Sequence, residues 1–452
     1  MSEDGLKQAG HYALKSFSIV GAGGNKVDIR TLIHTFNIVE SMSMGSVRGS
    51  AVVYDSNDLI TQIPIKAEEF IEIIYEDYFG QELTEVYFLY SITDVGYAKE
   101  KSPDMMKYTL NFVSLGKLFS ENSRVAKAYK PTGSSSTIKD YVTELYDEFY
   151  SKPVKEANQK PKEIDVETTS GSQTYVIPRM TPEQAMYFFS RKAFSLTSKS
   201  QSFRFFENRE KYYFATNEYM AEVVATGGVG YGAGAVDPRL AQAANISGKS
   251  IPVFTRNYAP DKSAERQEAA MYQLIDIDFG VKTDTVDDIN SGAYYRTSYE
   301  VDMINGTMNK FDYNHFTYNE QGLKFPHEQA FVDQRINKPK ERFIIKDYAS
   351  AGNPGGEVVS ADKNYATLHN VKTSYFYHYQ KNKVNATIYG RNTLFAGSVI
   401  DLFLTPHISD GQKAQDPDAE RSGRYIVESV ENLFFENTYT QKLVLSRSGI
   451  GA

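Results

Sequence analysis

The stretch Ala51-Val-Val-Tyr54-Asp-Ser-Asn57-Asp-Leu59-Ile60 returns 335 residues later as Ala386-Thr-Ile-Tyr389-Gly-Arg-Asn392-Thr-Leu394-Phe395, with four of the ten positions identical. The segments downstream of the two copies run in parallel. Phe70-Ile-Glu-Ile-Ile74 answers Val399-Ile-Asp-Leu-Phe403, Tyr90-Ser-Ile-Thr-Asp-Val95 answers Tyr425-Ile-Val-Glu-Ser-Val430, and Tyr108 to Val113 answers Thr440 to Leu445. Four strand-like segments in one order at a nearly constant offset define an internal repeat, and a repeat decides the architecture before any single element does. Only two copies exist, with a long unlike stretch between them, so the pattern predicts two related β domains rather than a solenoid. The fold class expected is β-rich α+β: two similar small antiparallel β-barrel domains with a mixed α/β domain inserted between them. Tyr54 and Tyr389 should then lie on equivalent strands.

Outward from the first copy, Ser18-Ile-Val20 and Val27-Asp-Ile29 flank Gly21-Ala-Gly-Gly24-Asn, a hairpin signal because glycine supplies positive φ. Leu32 to Val39 reads as a further strand. After Leu118 the period changes. Ile138, Tyr141, Val142, Leu145, Tyr146 and Phe149 share one helical face, with Ser135 and Ser136 as caps. The polar stretch Ser151 to Glu167 reads as a loop. Thr181-Pro-Glu-Gln184 opens a helix running to about Phe194, with Thr as N-cap and Pro at the first helical position. Strands at Phe203–Glu207 and Lys211–Ala215 come next. Further on are a short helix over Ala264–Leu274, a strand over Tyr294–Val301, a turn at Asn305-Gly306, loops over Asp347–Lys363 and Asp410–Asp418, and strands from Tyr375 onward. The divisions expected are 1–118 for the first barrel, 119–260 for the middle domain, 261–380 for the start of the second barrel with inserted loops, and 381–452 for the rest of that barrel.

Composition removes several function classes. Of 452 residues none is Cys, so disulfides, thiolate catalysis and cysteine metal sites are all excluded. The net charge is −8 with scattered basic residues, unlike the basic patch of a nucleic-acid binder. The N-terminal residues are polar, and no run approaches the roughly 18 apolar residues of a membrane span. A soluble protein made in the cytoplasm is expected. The 33 Tyr and 27 Phe, with no Trp, suit half-buried strands and interfaces alike.

No motif carries chemistry. His11, His34, His315, His327, His369, His378 and His407 show no metal-ligand spacing and read as structural. Gly227 to Gly234 lacks the Gly-Lys-Ser/Thr ending of a phosphate loop, so a glycine-rich loop is the better reading. Asp284, Asp287, Asp288 and Asn290 miss the calcium-loop spacing and read as a solvated turn. Among 57 acidic residues no spacing singles out a glycosidase pair. The aromatics Tyr375 to Tyr379 could stack bases or sugars, but without basic residues in register they read as packing. No catalytic, cofactor or metal residue is assigned, and no cofactor is expected.

The frame of the second copy runs from a Leu394–Gly397 turn and the strand Val399–Phe403 through Gly423-Arg-Tyr425-Ile-Val427-Glu-Ser-Val430 to Thr440-Gln-Lys-Leu443-Val-Leu-Ser-Arg447. It resembles the C-terminal barrel of the baseplate hub proteins of contractile-tailed bacteriophages, a family that includes the T-even hub and the N-terminal part of type VI secretion spike proteins. Glu40-Ser41, Gly49 and Val53-Tyr-Asp-Ser56 are similar to the matching stretch of the T-even hub, and Met180 to Arg191 to a helix of its middle domain. Asn290 to Ser360 and Asp410 to Asp418 have no counterpart. The resemblance implies a structural, non-enzymatic homotrimer in the virion baseplate, assembled in the host cytoplasm. Three chains with two barrels each would present six similar units between a threefold spike protein and a sixfold tail tube protein or tube-initiator, beside the wedge proteins. DNA would pass through the channel without specific binding. Leu59, Ile60, Leu394 and Phe395, at the barrel edges, are the ring-contact candidates. The competing readings are a tail-associated peptidoglycan hydrolase and a carbohydrate-binding tail module.

Overall fold

Along Phe70–Glu76 the buried residues are Ile71, Ile73 and Tyr75, with partly covered neighbours between them. Period-two burial of this kind places one face of a strand on a core, and it recurs through most of the chain. The computed structural model describes residues 8–21, 24–56, 59, 65–98, 105–131, 136–170, 174–197, 201–220, 251–254, 270–280, 285–303, 305–314, 340–345, 370, 372–374, 377, 383–404 and 421–447.

The first unit consists of β1 (Ala13–Val20), β2 (Lys26–Asp28), β3 (Ile33–Ser41), β4 (Arg48–Asp55), β5 (Phe70–Glu76), β6 (Glu82–Tyr97) and β7 (Met106–Ser114). Their order across the sheet is β3-β4-β7-β6-β5-β1-β2. The expected hairpin is β1–β2, and Gly24 takes φ +78° in its turn. Phe17, Phe36, Ile73, Tyr87, Leu110 and Phe112 are among the residues of its core.

The middle of the chain comprises α1 (Leu115–Glu121), β8 (Val125–Tyr129), α2 (Ile138–Tyr146), α3 (Lys152–Glu156), β9 (Ile164–Val166), β10 (Tyr175–Met180), α4 (Pro182–Lys192), β11 (Arg204–Glu207) and β12 (Tyr212–Ala215). As the spacing predicts, α2 buries Ile138, Tyr141, Val142, Leu145 and Tyr146. Its cap is Thr137, not Ser135 or Ser136: the Asp140 carboxylate accepts from the Thr137 N–H at 2.7 Å, closing a capping box. The helix continues through a π turn, Asp147–Ser151, into α3, and β9 pairs in parallel with β12. The polar run expected as a loop from Ser151 to Glu167 thus contains a helical turn and a strand. Pro153 is tolerated there in the first turn of α3, and Val154 is buried. At α4 the expected box forms: Gln184 N–H donates to Thr181 Oγ1 at 3.2 Å, and Thr181 N–H to Gln184 Oε1 at 3.1 Å. These elements enclose a separate aromatic core that includes Tyr129, Tyr141, Tyr150, Phe189, Phe205 and Tyr212.

The second unit consists of β13 (Ile251–Phe254), β14 (Leu274–Phe279), β18 (Lys383–Tyr389), β19 (Val399–Phe403), β20 (Gly423–Phe435) and β21 (Thr438–Ser446). Between β14 and β18 lie α5 (Thr285–Ser291), β15 (Tyr295–Asp302), β16 (Thr307–Asn314) and β17 (Lys340–Ile345); the last three form a separate sheet. The turn at Asn305-Gly306 joins β15 to β16 as expected. Leu274 begins a strand rather than ending a helix, Asp287, Asp288 and Asn290 lie in α5 rather than a turn, and Tyr377 is helical where a strand was expected. Residues 227–234, 347–363 and 410–418 lie outside the described residues.

Strand order and register make the two units equivalent. β4 pairs β7, β7 pairs β6 and β6 pairs β5; likewise β18 pairs β21, β21 pairs β20 and β20 pairs β19. Tyr54 opposes Lys107 as Tyr389 opposes Thr440, so the two tyrosines do occupy equivalent strands. The ladder breaks at Tyr90, between Leu89 and Ser91, and at Glu428, between Val427 and Ser429. It breaks again at His34 against β4 and at Ile275 against β18, making β14 the counterpart of β3. Matching bulges fix the alignment more sharply than side-chain similarity, because a bulge resets which residues face the core. They move two of the sequence pairings: Tyr87, not Tyr90, corresponds to Tyr425, and Tyr108 corresponds to Gln441. Packing compensates across the copies. Gly49 lies under the Phe112 ring, where a Cβ would come within 2.3 Å, whereas the equivalent pair is Val384 beside Leu445.

Neither of the two expected β-barrels is found closed among the described strands. The units share one 13-stranded sheet, because β20 pairs β21 and β19 and, through its C-terminal half, β3 of the first unit.

Candidate functional site

The sheet is continuous at the seam between β20 and β3, which runs antiparallel from Ser429 opposite Ser41 to Phe435 opposite Thr35. Side chains reinforce the ladder from both strands. Thr35 Oγ1 donates to Phe434 O at 2.9 Å, Asn432 Nδ2 to Ile38 O at 3.1 Å and Ser429 Oγ to Glu40 O at 3.0 Å. Phe36 and Phe434 stack with centroids 4.1 Å apart, and Phe434 stacks in turn on Tyr439 at 4.2 Å. Phe434 and Tyr439 therefore belong to the second copy by sequence and to the core of the first unit by packing.

The turn between β11 and β12 inserts the middle of the chain into this junction. Asn208 Oδ1 accepts from the N–H groups of Glu210 and Lys211, shaping the turn, and its Nδ2 donates to Ala396 O at 3.2 Å. Arg209, with a wholly buried side chain, touches both units. Its backbone N–H and Nε donate to the Glu40 carboxylate at 2.8 and 3.2 Å, Nη1 to the hydroxyls of Tyr75 (2.7 Å) and Tyr439 (3.3 Å), and Nη2 to Leu394 O at 2.9 Å. The guanidinium also lies over the Phe395 ring, 5.1 Å from its centroid. Burial raises the Glu40 carboxyl above the ordinary carboxylate range, opposed by the Arg209 charge, and Glu85 is raised in the same way. A charge buried this deeply persists only when paired and hydrogen-bonded.

A cleft of about 550 Å³ opens beside the junction, lined by Glu85, Tyr87, Lys162, Glu207, Arg209 and Tyr212. Of its acids, Glu207 is committed to structure, accepting from Lys162 Nζ at 2.7 Å and from Ser114 Oγ at 2.5 Å. Among the described residues no group of three or more His, Asp and Glu could hold a metal ion. His34 packs edge-on against Tyr54 and Phe435, and His11 pairs by its backbone with Thr438. The other five histidines lie outside the described residues.

The four ring-contact candidates are scattered. Leu59 is partly buried against the first core, Leu394 is fully buried in the second, and Phe395 is half-buried beneath Arg209; Ile60 lies outside the described residues. Leu394 faces its own chain, so the identity it shares with Leu59 reflects packing. Of the residues that tie the three parts together, Arg209 and Tyr75 carry no sequence signal beyond an Asn-initiated turn between two alternating strands, and Glu40 entered the sequence reading only as part of the resemblance, with no role assigned.

No protein-family model matches the chain, and no curated protein is similar to it in sequence. Its fold does match solved structures. The tail protein from Neisseria meningitidis MC58 superposes with a TM-score of 0.52 at 10% identity, over 97% of this chain and 98% of that one. The 43 kDa tail protein of prophage MuSo2 from Shewanella oneidensis gives 0.51 at 8% identity, over 96% and 98%. The likeness to tail proteins expected from the sequence is thus met in the fold.

Proposed function

We propose that this protein is a structural hub of a contractile-tail baseplate: a homotrimeric ring, without enzymatic activity, that seats a threefold spike protein on one face and initiates the sixfold tube on the other. The observation that carries the reading is the equivalence of the two sheet units in strand order and register, with shared bulges at Tyr90 and Glu428 and at His34 and Ile275, and one further bulge in β6 alone. A chain that presents two like units in tandem turns threefold into pseudo-sixfold symmetry when three copies close, and heterologous contacts either close or polymerise. The tail-protein fold supports it. A net charge of −8 suits a channel that DNA traverses without being retained. The ring would stand in the virion baseplate beside the wedge proteins, having assembled in the host cytoplasm. Residues 1–118 and 261–452 would supply the hub units, the latter interrupted by an insertion and joined by β13, and the rest of 119–260 the middle domain. Leu59, Ile60 and Phe395 remain candidates for secondary ring contacts.

Light scattering of the purified protein across a concentration series tests the proposal. A trimer near three times 50.9 kDa is the expected result. A strict monomer that clears bacterial cell walls, or binds saccharides, would replace the hub by the hydrolase or the carbohydrate-binding module.

A further inference from the structure

The seam uses one edge from each unit, and each edge has a counterpart left open among the described residues. The C-terminal half of β20 holds β3. Its equivalent, the C-terminal half of β6 from Ser91 to Tyr97, pairs only with β7 among the described residues. On the other side, β3 pairs both β4 and β20, whereas its equivalent β14 pairs only β18 among the described residues. Among the described residues the chain therefore presents a β20-like edge on the first unit and a β3-like edge on the second.

Both open edges carry exposed apolar groups, and Tyr97 stands where the seam carries the buried Phe434, while Ile277 is partly buried on the core of its own unit. Val95 and Tyr97 of β6 are 52% and 67% exposed, and Ile275 at the β14 bulge is 46% exposed. Phe434 and Phe36, the equivalents of Tyr97 and Ile277, are 0% and 1% exposed against one another. Unpaired, apolar strand edges are templates for another strand. We infer, resting on the ring assembly proposed above, that the β6 edge of one copy pairs antiparallel with the β14 edge of a second copy, repeating the β20–β3 seam between chains.

The seam dictates the register, with one extra residue taken up by a second β6 bulge between Thr93 and Gly96 that β20 lacks. Leu433 opposite Asn37 becomes Gly96 opposite Asp278, Phe434 opposite Phe36 becomes Tyr97 opposite Ile277, and Glu431 opposite Val39 becomes Thr93 opposite Gly280. Lys107 opposes Gly96 on β7. Lys107 and Asp278 would then share a face, two strand spacings or roughly 10 Å apart, with no side chain on the glycine between them. A lysine can lean across to the carboxylate. Pairing between two different edges is heterologous, and it is satisfied at every chain only when the ring closes.

A chain without cysteine allows a clean test by paired cysteines. Gly96→Cys is sterically free, since nothing lies within 4 Å of a Cβ there, and Asp278 is exposed. Chains carrying G96C, mixed with chains carrying D278C and mildly oxidised, should give disulfide-linked heterodimers, and the double variant should give covalent trimers without free thiols. Tyr97→Cys with Ile277→Cys should behave alike. The off-register pair G96C with D276C should yield less than a tenth as much. Trimers by light scattering with no in-register cross-link would overturn the edge pairing and leave the hub standing. Homodimers linked through G96C alone would overturn it in favour of like edges meeting. A monomer that never cross-links, with both variant pairs folded by circular dichroism, would overturn both.

Discussion

Replacing Arg209 by Met removes four side-chain hydrogen bonds from a point where the middle of the chain meets both sheet units. Three acceptors keep other partners. Tyr75 stays within 3.4 Å of Glu85, Tyr439 still donates to Asn432 at 2.8 Å, and Leu394 O still accepts from Gln441 at 3.3 Å. The loss concentrates on Glu40, left fully buried with one backbone donor. Breaking a buried pair from one side costs about 3–5 kcal/mol, and Met retains much of the packing. We expect R209M to lose about 4 kcal/mol, with amide exchange in β3 and β20 quickening roughly a thousandfold, at about 1.4 kcal/mol per factor of ten. The double variant E40Q/R209M removes both charges and should recover at least about half of the loss, a coupling that double-mutant cycles read directly. The penalty should also depend on pH. Glu40 has a folded pKa raised above its unfolded value, so its contribution is fully present below the unfolded pKa and is lost as pH rises through the folded one. Without Arg209 the folded value climbs further, and the R209M penalty should shrink on acidification from pH 8 to pH 5. Hydrogen exchange and denaturant titration at both pH values measure this. An R209M chain within about 1 kcal/mol of the parent, or an additive double variant, would refute the assigned role of the arginine.

Three further perturbations probe other parts of the fold. Gly390→Ala places a Cβ 2.1 Å from Tyr439 Cγ and should cost about 1–3 kcal/mol in denaturant unfolding; it should be non-additive with R209M, because both act on Tyr439. Thr181→Ala breaks the capping box of α4 and should cost about 1 kcal/mol, whereas Thr181→Ser should retain nearly full stability. Lys372, whose ammonium donates to Ser190 O at 3.1 Å, is lowered to about 8 by desolvation, with Arg191 and Arg204 adding to the effect. A depressed folded pKa contributes stability that is present above the unfolded value and lost as pH falls through about 8. Thermal melts should therefore show stability rising from pH 8 toward pH 10, and Lys372→Met should flatten that rise.

By itself the sequence determined what local physics dictates. The duplicated decapeptide, alternating strands, the Thr181 capping box and the apolar face of α2 were legible because each depends on residues within a few turns or pleats of one another. It also paired Phe70–Ile74 with Val399–Phe403 in the register the ladder has. It misplaced the pairing of Tyr90 and Tyr108, since residues 77–81 join β5 to β6 where 404–422 join β19 to β20, and 98–105 join β6 to β7 where 436–437 join β20 to β21, so no single offset aligns all the strands. Only the tertiary structure decided that two expected barrels are one sheet, that Leu394 faces inward, and that Arg209 lies between Glu40, Tyr75 and Tyr439, residues 134 to 230 positions away along the chain. Which strand edge meets which, and whether a charged side chain is buried with partners, depend on contacts among distant segments, and a one-dimensional pattern constrains those contacts only through the total packing they must satisfy.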